Sequence, residues 1–490
     1  MTDTHLKQRT LSGMLWAAIQ RFGSLAISFL SNIILARLLS PDDYGLIGML
    51  SIFIAVSNTF IDGGFGVALI QKKDTTNKDF STVFYWNIFL SLFLYFILYI
   101  SAPLIQKFYD NIHMLSDVLR VLGVVLIINA FTVVQLNRLR KEMKFKLLAK
   151  CNLSAAIISV TIAIILAYYG WGVWALVFQQ IVYSLFNSII CWMVCHWKPE
   201  MIFSLKSFKD LFGFGSFMMF SSLFNTFCNN INGLIIGKFF SATTLGYYTQ
   251  SKRLEDVSTM GFLSVIEQVS YPMLVEIKED FSRMRDVLER FNAVILAVLT
   301  PIMYTIIIMA FPIIVTLFSN KWLPSVPILQ VLGFAGIFLC FQGTNYNAIA
   351  AIGKSGVLFR WTLIKRLVGI ALTIVPMLFL GLYGFLWGIV FSTFLYALCN
   401  MILVAKYINY PLKDQFRSLA PVFFLSTIPF IFCYTFSILS KRFELFTPFT
   451  SACIFGIIYL LIYIILVKYL NIKALKDINE LTRTVINKFH

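Results

Sequence analysis

Several charged side chains lie inside long apolar stretches, where an ionisable group is costly unless it faces protein or water. Arg21 lies about eight residues into the stretch that begins near Gly13, roughly 12 Å along a helix. Lys365 and Arg366 lie at a similar depth in a later stretch. If these side chains converge on a central cavity, they form a cationic site, open to the cytoplasm, that suits a phosphate or pyrophosphate group. The alternative is snorkelling, in which long basic stems reach the membrane headgroups.

A second group of charges has mixed sign. Lys252, Arg253, Glu255 and Asp256 lie close together in another stretch, and Lys252 and Asp256 have the i,i+4 spacing of an ion pair on one helix face. Two interpretations stay open. Either Lys252 and Arg253 bind the same anionic headgroup while Asp256 serves gating or coupling, or the cluster simply neutralises itself.

Asp62 and Glu267 stand alone in their apolar stretches. We expect a structural ion pair as the first role of each, and gating of the cavity or the carriage of a coupling proton or sodium ion as the alternatives. The cysteines include no Cys-x-x-Cys pair and the four histidines are scattered, so we expect no metal site. No cofactor is predicted beyond the coupling ion.

The surrounding sequence predicts an all-α integral membrane protein. Hydrophobic residues make up 59% of the 490 residues and charged residues only 13%, which is too apolar for a soluble chain of this length. Apolar runs reach the roughly 20 residues that a membrane-spanning helix needs. We predict about 14 spans, near residues 13–36, 44–70, 83–105, 118–136, 151–169, 173–195, 212–236, 245–275, 293–318, 326–352, 357–380, 384–405, 419–439 and 449–467.

The distribution of basic residues predicts the orientation. Most Lys and Arg fall in loops on the side of the N-terminus, and the opposite side has few, among them Arg37, Lys107, Lys321, Lys441 and Arg442. The positive-inside rule therefore places both termini in the cytoplasm. The net charge of +17 is spread over many short loops, so we expect it to meet membrane lipids and no nucleic acid.

An internal repeat predicts how the spans are grouped. Leu35 to Gly45 aligns without gaps with Ile236 to Gly246, and six spans separate the two copies. An even number gives both halves the same orientation, so they form a parallel repeat around an axis along the membrane normal. The predicted parts are a six-helix bundle at 1–205, a second at 206–410, two additional helices at 411–470 and a cytoplasmic tail at 471–490. We expect an amphipathic helix on the inner leaflet for the tail, with a solvated tail as the alternative.

Two further features bear on packing and on chemistry. Gly384 and Gly388 form a GxxxG pair, which we expect to serve packing within the chain rather than dimerisation. Every predicted outer loop is short, which argues against a polymerase or ligase that works on polysaccharide outside the membrane. We therefore do not expect an enzyme.

Four segments resemble the polysaccharide transport proteins, the O-antigen and exopolysaccharide flippase group of the superfamily that also contains the multidrug and toxin exporters. The segments are Arg37 to Gly45, Asp62 to Lys72, the Leu245-Gly-Tyr-Tyr turn and Val269 to Leu274. The resemblance implies a MATE-like fold, with two six-helix bundles and two extra helices around a central cavity. It also implies basic residues in that cavity, including one on the first helix, which Arg21 fits.

The same resemblance implies a function. The protein would move undecaprenyl-pyrophosphate-linked oligosaccharides across the bacterial inner membrane by alternating access, for O-antigen, capsule or exopolysaccharide synthesis. Polymerase and chain-length proteins of the pathway would be its partners. The alternatives are a cation-coupled multidrug exporter of the same fold, a flippase for the peptidoglycan precursor, and a membrane-embedded glycosyl or acyl transferase. The basic residues argue against the first, and the lack of a convergent His or Asp site argues against the last.

Overall fold

A computed structural model describes residues 3–72 and 74–470, and within these residues all regular structure is helical. The predicted tail at 471–490 lies outside the described residues. The helices, in chain order, are α1 (Asp3–Leu38), α2 (Pro41–Asp62), α3 (Phe65–Gln71), α4 (Asn77–Phe108), α5 (Leu115–Lys141), α6 (Phe145–Tyr168), α7 (Val173–Cys195), α8 (Leu205–Phe239), α9 (Ala242–Glu276), α10 (Phe281–Ile308), α11 (Ala310–Phe318), α12 (Ser325–Ala351), α13 (Ser355–Tyr407), α14 (Leu412–Arg442) and α15 (Pro448–Leu470).

The helices confirm a protein that crosses the membrane many times. Eleven described helices are long and apolar enough to span a bilayer, and the α8 segment, bent by 51° near Gly213, brings the number to twelve. The charges of α9 make it too polar for the same criterion, although its 35 residues are long enough to span. Helix α13 has 53 residues, about 80 Å of helix, which is more than twice the thickness of the hydrocarbon core. The predicted fourteen spans are compatible with this arrangement.

Helix α13 is in fact a hairpin of two spans. Gly381 has φ 58° and ψ −138°, values outside the helical region that a residue with a side chain rarely adopts. After this turn, Gly384 packs on the Pro376 carbonyl and Gly388 packs on the Leu372 carbonyl, so closely that a Cβ atom at either glycine would clash. The GxxxG pair therefore joins two helices of one chain, as predicted from the sequence.

The described chain divides into two compact units, Met1–Thr249 and Gln250–His490. The first holds α1 to α8 and the first turns of α9, and the second holds the rest of α9 and all later helices. This division follows spatial contact, whereas the predicted bundles at 1–205 and 206–410, and the two helices at 411–470, follow the sequence repeat. Those bounds stay predictions.

Within the N-terminal unit, the α1–α2 turn and the α8–α9 turn contact each other. A Cβ atom on Gly45 would collide with the carbonyl of Ala242, and one on Gly246 would collide with the carbonyl of Pro41. Gly45 and Gly246 are equivalent in the repeat, and so are Pro41 and Ala242. The contact is therefore reciprocal, as a two-fold relation between the two copies of the turn requires.

Local capping explains why both copies turn at this point. Ser40 accepts a hydrogen bond from the Asp43 amide at 3.3 Å, while Asp43 accepts one from the Ser40 amide at 2.8 Å, which forms a capping box at the start of α2. At the equivalent place before α9, the Ser241 hydroxyl accepts from the Thr244 amide at 3.0 Å. The same side chain thus satisfies the same exposed backbone groups in both copies.

Candidate functional site

Lys365 lies half-buried in the first span of α13, and its partner is a neutral amide. Its Nζ donates to Asn400 Oδ1 at 2.7 Å, and Asn400 Nδ2 donates to the Gln342 carbonyl on α12 at 3.1 Å. Among the described residues, no carboxylate forms an ion pair with Lys365. Lys365 therefore has a fixed position, and no described acid offsets its charge. Arg366, the next residue, is also half-buried.

Lys252 is held in the opposite way, because its partners are acids. Its Nζ binds Asp256 Oδ1 at 2.8 Å and also contacts Glu255 Oε2. The i,i+4 ion pair predicted from the spacing is thus present, together with a second acid that the spacing alone did not assign. Arg253 is exposed on the neighbouring face of α9. With both acids ionised, Lys252, Glu255 and Asp256 carry a net charge of −1.

Glu255 is the member of this cluster that the sequence did not single out. Its side chain is only 2% exposed, against 36% for Lys252 and 42% for Asp256. The carboxyl group packs against Gly336 of α12, and its Oε1 atom has no hydrogen-bond partner among the described residues. A buried carboxyl oxygen without a donor is costly, so this group stands out as chemically unusual.

Glu267 packs against a second glycine of α12. Its carboxyl group fills the space where a Cβ atom of Gly343 would be. Asn347 donates to Ser270 Oγ at 3.3 Å and to the Glu267 carbonyl at 3.4 Å. Two carboxyl groups of α9 thus lie over two glycines of α12.

Asp62 is the last residue of α2, and its carboxyl group lies beside Gly66 and the Asn137 amide. The positive charge of Arg140 acts on this carboxyl group. We expected a structural ion pair for both Asp62 and Glu267. Neither of them forms an ion pair with a described residue. Each acid instead lies beside a glycine, Asp62 beside Gly66 and Glu267 beside Gly343.

Arg21 is exposed on α1. Helix α1 packs along α6, where Gly23 meets Leu153. Arg21 is two residues before Gly23, which corresponds to a rotation of about 200° around the helix. Arg21 therefore lies on the face of α1 turned away from α6. This position fits both a side chain that lines a cavity and one that snorkels, and the choice between them stays a prediction.

The structure therefore brings the predicted residues of the C-terminal unit into two groups. One is Lys252 with Glu255 and Asp256, and the other is Lys365 with Asn400. Arg21 and Asp62 belong to the N-terminal unit. In the described part of the chain, no group of three or more His, Cys, Asp or Glu residues has the arrangement of a metal site.

The last residue of α5, Lys141, has a structural role that the sequence did not reveal. Lys141 Nζ donates to the Leu69 carbonyl at 2.9 Å and to Thr75 Oγ1 at 2.7 Å, and so it fixes the C-terminal end of α3. Next to it, burial raises the pKa of Glu142, but hydrogen bonds from Lys144 and Arg138 outweigh this and lower it overall. The basic loop after α5 is thus partly neutralised by its own acid.

Solved structures with the same architecture include two kinds of transporter. A lipid II flippase, MurJ, in an inward closed conformation matches with a TM-score of 0.72 over 93% of this chain and 99% of that one, at 16% identity. An inward-facing multidrug resistance transporter of the MATE family and MOP superfamily matches with a TM-score of 0.61 over 81% and 98%, also at 16% identity. Similarities at this level establish the MATE-like fold.

Sequence relatives extend over most of the chain. The teichuronic acid biosynthesis protein TuaB of Bacillus subtilis is 26% identical over 73% of this chain and 74% of that protein. The lipopolysaccharide biosynthesis protein WzxC of Escherichia coli is 20% identical over 89% of both. The succinoglycan biosynthesis transport protein ExoT of Rhizobium meliloti is 23% identical over 74% of both.

The model of one protein family matches residues 34–327, which is more than half of the chain. The match includes both copies of the repeated turn and the charged cluster of α9. The fold, the relatives and this match agree with the resemblance noted in the sequence. The chain belongs to the polysaccharide biosynthesis protein family.

Proposed function

We propose that this protein is a flippase that moves undecaprenyl-pyrophosphate-linked oligosaccharide units across a membrane for the synthesis of a surface polysaccharide. The observation that carries the proposal is Lys365, an uncompensated cation held by Asn400 inside a membrane span. The family, the MATE-like fold and the names of the relatives support the same function.

A cation in this position needs a functional reason. A lysine at the centre of a span costs about 2.5–3.5 kcal/mol on insertion scales, and such residues mark substrate or ion pathways. A carboxylate partner would reduce that cost, but Lys365 has an amide partner, which fixes the ammonium group without cancelling its charge. An anionic headgroup supplies the missing counter-charge. In this proposal Arg366 and Arg21 strengthen the same attraction.

The setting of the proposed activity is the bacterial inner membrane, with both termini in the cytoplasm. The support is the excess of basic residues in the loops on the N-terminal side. The polymerase and chain-length proteins of the same pathway are the proposed partners. No enzymatic step is part of the proposal, and the energy comes from a coupling proton or sodium ion, for which Asp62, Glu267 and Asp256 are the candidate carriers.

The experiment is to deplete the protein in cells that make a surface glycan and to analyse isoprenoid-linked glycans by mass spectrometry. Enzymes that act from one side of the membrane then report which face the glycans occupy. We expect a finished repeat unit to accumulate on the cytoplasmic face, and its mass identifies the sugars. An unchanged lipid-linked pool while the glycan is still made would refute the flippase, and an accumulated peptidoglycan precursor would indicate the other cargo.

A further inference from the structure

The acids next to Lys252 form an unusual pair. Glu255 and Asp256 lie close enough for their carboxyl groups to interact directly, and both bind the same ammonium group. Two carboxylates at one site oppose each other's ionisation, and a single lysine balances only one of them. Burial of Glu255 strengthens this opposition, because its charge is removed from water.

Among the described residues, Lys252 is the cation that acts on Glu255, and Arg253 of the same helix is exposed. Of the helices packed near it, α12 presents Gly336 and α10 presents Met303, and both are uncharged. Among the described residues, the charged groups that act on Glu255 are Lys252 and Asp256 of its own helix. The Oε1 atom of Glu255 also lacks a donor, so one oxygen of the pair is open to a proton.

We propose that Glu255 holds one exchangeable proton beside Asp256, and that this proton controls whether an anionic headgroup binds at Lys252. With the proton, Lys252, Glu255 and Asp256 are neutral overall, and without it they carry a net charge of −1. The link to the headgroup rests on the proposed function, whereas the proton site itself does not.

The route of the proton follows from the exposed fractions of the three side chains. Glu255 is buried, but Asp256 and Lys252 are more than one third exposed, so water reaches the pair through Asp256. A proton from water adds to a carboxylate oxygen and leaves by the same route, with no other bond made or broken. Loss of the proton adds a negative charge beside Lys252 and repels a phosphate group. Proton and anion therefore assist each other's binding, and the two effects are equal in size.

The first test needs no substrate. Infrared difference spectroscopy of the purified full-length protein, recorded as pH is varied, detects the carbonyl stretch of a protonated carboxyl group. We expect this band in the native protein and its loss in both Glu255→Gln and Asp256→Asn, since in each variant the remaining acid is balanced by Lys252. Glu276→Gln, a change of an exposed acid on the same helix, is the matched control and should keep the band. A band that survives in both pair variants overturns the proposal.

The second test uses inorganic pyrophosphate as the probe, titrated calorimetrically in buffers of different ionisation enthalpy. We expect affinity in the native protein and in Glu276→Gln to fall with rising pH by at most about tenfold per unit, the limit for one linked proton. Glu255→Gln should lose that part of the pH dependence and the matching proton uptake. Pyrophosphate itself ionises identically in every sample, so only differences in proton uptake between variants report on Glu255. Equal proton uptake in Glu255→Gln and in the control would overturn the proposed coupling between the proton and the anion.

The proposed proton site and the proposed flippase function can be refuted independently of each other. Cells that show no lipid-linked glycan on the cytoplasmic face would refute the function while the carboxyl band remains. Absence of the band from the native protein would refute the proton site while the accumulated glycan still supports the function.

Discussion

Two lysines of the C-terminal unit, Lys365 and Lys252, have the same charge and comparable burial but different partners. Lys365 donates to the amide of Asn400, and Lys252 is bound by the carboxyl groups of Glu255 and Asp256. In the first arrangement no described acid offsets the charge of the lysine, whereas in the second two acids do. The partner, more than the lysine itself, therefore decides how strongly a membrane cation attracts an anionic headgroup.

The largest expected effect is that of Lys365→Met, which removes the charge and keeps most of the apolar stem. A charge-assisted hydrogen bond contributes about 1.5–3 kcal/mol, equivalent to roughly ten- to hundredfold in headgroup affinity. We expect transport to fall by that factor, measured as lipid-linked glycan on the outer face per unit of protein in the membrane. Normal transport at equal abundance would show that Lys365 does not contact the cargo.

Asn400→Asp converts the environment of Lys365 into that of Lys252 without changing the lysine. The new carboxylate would neutralise Lys365 at the same short distance, so we expect transport to fall nearly as far as in Lys365→Met. The double variant Lys365→Met with Asn400→Asp leaves a carboxylate without its cation, a net charge of −1, so we expect transport to fall below that of either single change. A fully active Asn400→Asp protein would contradict the importance of partner charge.

Arg21→Ala extends the comparison to the N-terminal unit. If Arg21 contributes to the same attraction, transport should fall, by less than in Lys365→Met, while the amount of protein in the membrane is unchanged. Quantitative immunoblotting of membranes serves as the control for abundance. A variant with full activity would instead assign Arg21 to the membrane headgroups.

Lys252→Met should lower headgroup binding less than the changes above, because two acids already offset much of its charge, and it should also lower stability. Removing the cation leaves two acids together, one of them buried, and partial exposure of Lys252 limits the cost to about 1–3 kcal/mol. We expect a lower thermal midpoint in detergent. Adding Glu255→Gln to the same protein should recover most of the loss, and a midpoint that stays low in the double variant would point to packing instead of charge.

The sequence predicted the helical spans because their apolar runs are long and their boundaries are marked by glycine, proline and charge. It also predicted the Lys252–Asp256 pair and the packing role of Gly384 and Gly388, since these depend on spacing along one helix or on contact between helices of one chain. Four segments, Arg37 to Gly45 among them, indicated the family together with the number of spans.

The partners that matter most could not be read from the sequence. Asn400 lies 35 residues from Lys365 and meets it only because α13 folds back at Gly381. The burial of Glu255 depends on Gly336, which another helix supplies. Such pairings are set by how helices are rotated and offset against each other, and the apolar pattern of a membrane span constrains that weakly.

The reciprocal contact of the two turns bears on the origin of the chain. Gly45 meets Ala242 as Gly246 meets Pro41, so one surface has in effect been paired with a copy of itself. A shorter ancestral protein with a single turn of this kind could have formed a closed homodimer through that surface. Fusion of two such genes would preserve the dimer contact inside one polypeptide, after which each half was free to acquire its own charged residues.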